Sequence, residues 1–127
     1  MLFAIITGVI LYMAIGMLYY SPMLFGNRWV EILNIKDPKQ PNYGLLSLVT
    51  IFTVILLYGI LLISQAETVF DGLMVGGAVG IIIALAYAKD FIFGLGSASK
   101  NQVILYFIAI GYHFIALTII GAVMMLF

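Results

Sequence analysis

Polar residues gather in three stretches of this chain and leave long apolar runs between them. The runs extend from Leu2 to about Tyr20, from Gly44 to Ser64, from Val69 to about Ala88 and from Gln102 to about Leu126. Each is close to the ~20 residues that a helix needs to cross a bilayer. The pattern predicts an all-α polytopic membrane protein, a bundle of four transmembrane helices forming one domain over residues 1–127.

The third run carries the clearest packing signal. Gly72, Gly76, Gly80, Ala84 and Ala88 recur at every fourth position, a spacing that lines small side chains along one helix face. In water each glycine in a helix costs about 1 kcal/mol. In hydrocarbon a smooth stripe lets a second backbone approach closely, and van der Waals contact compensates. The stripe therefore predicts a tight helix–helix contact, either within one chain or between two copies. In the first run Ala4, Gly8, Tyr12 and Gly16 form a similar face with a hydroxyl in its middle. Tyr19 and Tyr20 stand where an aromatic belt would anchor that helix at the membrane surface.

The longest polar stretch, Ser21 to Tyr43, divides in two. Ser21 and Pro22 predict the start of a short helix, with serine as cap and proline in the first helical position. Phe25, Trp29 and Leu33 follow at spacings of four, with Arg28 and Glu31 to either side. This reads as a short amphipathic segment at the interface, residues 23–33, with a re-entrant turn as the alternative. Gly26 is expected to weaken it. Lys36 to Asn42 contains two prolines and reads as a surface loop. Gln65–Thr68 reads as a tight turn and Gly94–Ser97 as a helix break. Phe91–Phe93 is either an extension of the third helix or part of that loop.

Composition strengthens the membrane reading. Of 127 residues, 65% are hydrophobic and 8% charged, against about 25% charged in soluble domains. The mean hydropathy is +1.26. The chain has no cysteine, which removes disulfides and thiolate metal sites. With no block of basic residues, nucleic acid is not an expected partner. The first run lacks a basic leader and a small-residue cleavage site, so it is expected to remain as a span.

His113, the one histidine, falls about eleven residues into the fourth run, near mid-membrane. An ionisable group at that depth is a candidate functional residue. Equally, a neutral imidazole bonded to a neighbouring helix can lock a bundle. An imidazolium without a partner is costly in hydrocarbon, so the ring is expected to be neutral and bonded to another helix. Tyr106 lies two turns earlier on the same face, and Tyr12 and Tyr58 fall at middle depth, so a Tyr–His–Tyr cluster is conceivable. No carboxylate lies deep in any run; Glu67 and Asp71 are expected at a solvated mouth. No catalytic, cofactor-binding or metal-binding set is recognisable, and enzymatic activity is not expected.

The segment Tyr20-Ser21-Pro22-Met23-Leu24-Phe25-Gly26, followed by Trp29, resembles the YSPxLFGxxW signature of a bacterial membrane family catalogued as domain of unknown function 1761. The fourth run adds Gly111-Tyr112-His113, which resembles the family's GYH segment. The resemblance covers essentially the whole chain and implies a small four-span membrane protein without an assigned activity. It marks Tyr20, Pro22, Gly26, Trp29, Tyr112 and His113 as positions of interest. Tyr19 stands where members often carry tryptophan. Two classes of function remain. One is a small transport or channel-like subunit that forms a homo-oligomer in the lipid bilayer, its small-molecule or ion substrate unspecified by the sequence. The other is a non-enzymatic interaction or structural membrane protein that regulates a partner.

Charge sets the expected orientation. Arg28, Lys36 and Lys39 lie between the first and second runs, and Lys89 and Lys100 between the third and fourth. By the positive-inside rule these loops face the cytoplasm, with both termini on the other side of a bacterial cytoplasmic membrane. A reporter fused after Phe127 should be active only outside the cytoplasm. Cytoplasmic reporter activity would reverse the orientation.

Overall fold

The computed structural model describes residues 1–93 and 99–127. The expected helix break at Gly94–Ser97 lies outside them. The helices are α1 (Leu2–Tyr19), α2 (Gly26–Ile32), α3 (Tyr43–Ile63), α4 (Val69–Ala88) and α5 (Lys100–Met124). A π-helical turn, Lys89–Phe93, prolongs α4, so Phe91–Phe93 extends the third span. Among the described residues four segments are long and apolar enough to cross a membrane: α1, α3, α4 with its extension, and α5. The protein is an all-α membrane bundle, in agreement with the hydropathy pattern.

Local chemistry fixes where the helices begin and end. Asn42 Oδ1 accepts from Leu45 N at 3.2 Å and caps α3. Thr68 and Asp71 form a capping box on α4, and Ser99 and Gln102 form one on α5. The second box starts α5 at Lys100, two residues before the expected Gln102. Asp71 was expected merely at a solvated mouth. Its Oδ2 accepts from Thr68 N at 2.8 Å and Thr68 Oγ1 at 2.7 Å, closing the first turn of α4. At the other ends, Asn34 and Gln65 take φ near 54°. Each then lets the next amide reach back, Ile35 N to Val30 O and Ala66 N to Leu61 O, both at 3.1 Å. These are the paired bonds that close α2 and α3.

The segment after α1 departs from expectation. The short helix begins at Gly26, four residues after Pro22. Ser21 does not cap it: Ser21 Oγ donates to Leu18 O at 2.7 Å and finishes α1 instead. Pro22 lies in the turn that follows. The turn is closed by Phe25 N donating to Tyr19 O and Gly26 N donating to Ser21 O, both at 3.0 Å. Gly26 does not weaken this element. It is buried, and a β-carbon there would collide with the backbone at Tyr20 O and Ser21 O. Only glycine lets α2 start this close to the end of α1.

Helix α5 sits in the middle. It packs most extensively on α4, and it also packs on α1, which in turn contacts α3. The glycine stripe makes the first of these contacts within the chain. A β-carbon on Gly72 would meet Gly121 O, and one on Gly76 would meet Leu117 O. One on Gly80 would stand 2.8 Å from Phe114 Cα. Backbone touches backbone over two turns, with Gly121 supplying the matching gap on α5. The α1 face behaves as its spacing predicts: Ala4, Gly8 and Tyr12 are buried. Between the helices lies an aliphatic core of Val54, Leu57, Leu61, Leu117, Ile120 and Met124.

Leucine at Gly76 or Gly80 should therefore loosen the monomer itself. Overpacking of this kind costs about 1–3 kcal/mol or more. Gly59 has nothing within 4 Å of its missing β-carbon and provides a control. Melting followed by circular dichroism should show Gly76→Leu and Gly80→Leu well below wild type, and Gly59→Leu near it. Wild-type melting of the ladder variants would remove the contact from the account.

Candidate functional site, an aromatic pocket closed by histidine

Four helices, α1, α2, α4 and α5, bring the site together. Tyr12 is buried on the small-residue face of α1, at 6% exposure. Its hydroxyl lies 2.7 Å from His113 Nδ1 on α5. Beside it, Tyr112 Oη donates to Tyr12 O at 3.1 Å. That reach depends on Gly16, where a β-carbon would stand 2.9 Å from the Tyr112 hydroxyl oxygen. Tyr19 Oη donates to Ile108 O at 2.8 Å. Gly111 makes room for that hydroxyl, because a β-carbon there would come within 2.7 Å of it. Each residue of the Gly111-Tyr112-His113 segment thus has a separate task in joining α5 to α1.

The rings form a continuous cluster. Tyr112 lies 4.9 Å from His113, 5.3 Å from Tyr12, 5.7 Å from Tyr19 and 5.5 Å from Tyr20, centroid to centroid. Tyr20 continues edge-on to Trp29 at 5.2 Å, which ties α2 to the bundle. On the far side Tyr87 of α4 approaches His113 edge-on at 6.2 Å. These are the tilted and edge-to-face arrangements that ring quadrupoles favour. Tyr106 Oη donates to Ala84 O at 2.7 Å and pins the upper part of α4 to α5.

Among these walls is a cavity of about 410 Å³, lined by Tyr20, Trp29, Leu33, Tyr87, Phe91, Gln102, Leu105, Tyr106, Ala109 and His113. From Gln102 to His113 it follows α5 for eleven residues, about 16 Å at 1.5 Å per residue. Among the described residues its lining carries no carboxylate and no lysine or arginine. Beyond His113 the next turns of α5 present Ala116, Leu117 and Ile120, all without solvent exposure. His113 is thus the last α5 residue to line the pocket, and the turns beyond it belong to the aliphatic core.

The expected cluster is present with altered membership. Tyr12, Tyr112 and His113 meet, as do Tyr20 and Trp29, while Tyr106 stands apart from that cluster and shares only the cavity lining with His113. Tyr58 does not join them; it is half-buried against the aliphatic core and makes no side-chain hydrogen bond among the described residues. Gly72, Gly76 and Gly80 serve the α4–α5 contact below the pocket. Pro22 shapes the turn that carries Trp29. Tyr19 is no surface anchor but is buried, at 7% exposure. Its position fifteen residues after Ala4 returns it to the α1 packing face, a periodicity that would have revealed it. Phe25 stacks on Tyr19 at 4.7 Å, and Trp29 and Leu33 line the cavity, so the stripe of α2 docks on the bundle. Tyr87 gave no signal, because it lies off the small-residue stripe.

This is a four-span α-helical membrane protein with an aromatic pocket that its one histidine lines. The chain belongs to the family described as protein of unknown function (DUF1761), which it matches over residues 3–125. No curated protein and no solved structure matches it.

Removing the Tyr12 hydroxyl should leave Nδ1 of a half-buried imidazole without its partner. The Tyr12→Phe variant should lose about 1–3 kcal/mol of stability. Tyr58→Phe should stay within about 0.5 kcal/mol of wild type. Thermal melting of the two variants side by side checks this. Equal stability of both would make the Tyr12–His113 bond energetically unimportant.

Proposed function

We propose that the protein is a small-molecule-binding membrane protein of the transport type, with the aromatic pocket as its substrate site. The observation that carries this reading is the pocket itself: a cavity of about 410 Å³ that is mainly aromatic and ends on one imidazole. Concave, largely apolar sites with a few placed polar groups are the usual form of a ligand site. The pocket runs inward from the end that carries Arg28, Lys89 and Lys100, which the positive-inside rule assigns to the cytoplasm of a bacterial cell. Leu117 and Ile120 are fully buried beyond His113, and in this reading a second copy or a partner completes the route. The glycine ladder is occupied by α5, and the exposed apolar faces of all four spans are the surfaces left for such an assembly.

A second reading is favoured by one observation. Every buried side-chain nitrogen or oxygen among the described residues has a hydrogen-bond partner. That is the state expected of a protein that passes no polar solute. In this reading the occupied pocket regulates a neighbouring membrane protein, and the chain itself moves nothing.

Both readings require a ligand in the pocket. Ala109 lines it, and Ala109→Phe would fill it from within. A panel of small apolar compounds should contain members that raise the melting temperature of the wild-type protein in lipid nanodiscs. A ligand at 100 times its dissociation constant contributes about 2.7 kcal/mol. The Ala109→Phe variant should not respond. Compounds that stabilise neither protein, or both equally, would contradict a binding site here.

A further inference from the structure

Given the pocket reading above, we infer that the ligand is a flat, uncharged ring carrying a carbonyl oxygen, and that His113 Nε2–H donates to that oxygen at the pocket floor. The proton assignment follows from the bond between Tyr12 and His113 at 2.7 Å. The Tyr12 hydroxyl makes no other side-chain hydrogen bond among the described residues, and Tyr12 is 6% exposed. If Nδ1 carried the proton, the hydroxyl hydrogen would have to turn from the imidazole to the neighbouring Tyr112 oxygen, whose own hydroxyl is already engaged with Tyr12 O at 3.1 Å. With the hydroxyl donating to Nδ1, both groups are satisfied, and a neutral ring then carries its proton on Nε2.

Nε2 has no protein partner among the described residues. Every buried side-chain nitrogen and oxygen among those residues is partnered, so Nε2 is accessible. The accessible space beside His113 is the pocket that it lines. The floor therefore presents one hydrogen-bond donor, and a ligand meets it best with an acceptor.

The walls set the remainder of the ligand. Tyr20, Trp29, Tyr87 and Tyr106 offer ring faces and edges against which a flat apolar body stacks. A cation would gain attraction from those faces. However, no carboxylate lines the cavity among the described residues, and around it Arg28 is paired with Glu31 at 2.9 Å and Lys89 is followed by Asp90. A cation would thus find no counter-ion inside the pocket. An anion would be desolvated against the negative faces of the rings with no basic side chain to receive it. An uncharged ring with one acceptor meets neither penalty. Such a molecule also partitions into the bilayer around the bundle.

The test uses 9-fluorenone and fluorene, two rigid rings of the same shape that differ by the carbonyl. Their binding to the full-length protein in nanodiscs is measured by equilibrium dialysis of the radiolabelled compounds, with empty nanodiscs subtracted. Fluorenone should bind about tenfold more tightly than fluorene, the worth of one hydrogen bond in this setting. His113→Phe should erase the difference while leaving fluorene binding in place. Because the chain has a single histidine, nitrogen NMR of the wild-type protein gives one imidazole. It should show a protonated Nε2 whose resonance moves on adding fluorenone and not fluorene. This second readout does not depend on any variant folding.

Equal binding of the two rings, blocked in both cases by Ala109→Phe, would overturn the carbonyl assignment and leave the pocket reading standing. Tighter binding of tetraphenylphosphonium than of fluorenone would overturn the uncharged assignment. A proton found on Nδ1 would overturn the donor assignment. Failure of all three probes to bind above empty nanodiscs would count against this inference; only a wider panel with no ligand at all would remove the pocket reading.

Discussion

Close approach of two backbones, α4 against α5, is the contact on which the remainder of this structure rests. Lipid tails are as apolar as leucine, so burial of apolar side chains gives little drive for helices to associate in a membrane. What remains is van der Waals contact and hydrogen bonding, and both need short distances. Gly72, Gly76 and Gly80 supply them on one side and Gly121 on the other. Above the last glycine the two helices are joined differently, by the Tyr106 hydroxyl on Ala84 O. The change from glycine contact to a tyrosine strut is what opens space at that end. The pocket is thus a consequence of where the ladder stops.

The second constraint is polar. Tyr12, Tyr19 and Tyr112 each send a hydroxyl across the α1–α5 interface. Two of these crossings pass over a glycine, Gly111 or Gly16, on the facing helix. A third glycine, Gly26, brings α2 back over the end of α1, so that Trp29 reaches Tyr20. The YSPxLFGxxW and GYH segments are separated by more than eighty positions in the chain. They meet around one set of rings, which gives a physical reason for the two signatures to occur in one protein.

Much of this was legible in the sequence. The four spans and the small-residue faces of α1 and α4 follow directly from hydropathy and fourfold spacing. The depth of His113 followed from counting along α5. What the sequence could not supply was pairing. The ladder's spacing serves a partner in the same chain or in another copy equally well, and it was Gly121 and the backbone at Leu117 that resolved the choice. Tyr58 and Tyr12 share a depth, but the helix faces direct one to the aliphatic core and the other to the imidazole. Tyr19 sits at a helix end, where aromatic residues usually mark the membrane surface. Its burial depends on α2 folding back over it, and that fold depends in turn on Gly26, a residue whose helix propensity alone argues for the opposite effect.

The fold depends on the ladder lying within one chain. Glycine labelled with carbon-13 in the membrane-embedded protein should give a through-space correlation between the Cα atoms of Gly76 and Gly121. Diluting labelled chains into an excess of unlabelled ones separates contacts inside a chain from contacts between chains. The structure requires that the correlation keep its full intensity per labelled chain at every dilution. A correlation that fades in proportion to the dilution would mean that the ladder joins two copies, and the arrangement of α4, α5 and the pocket between them would have to be redrawn.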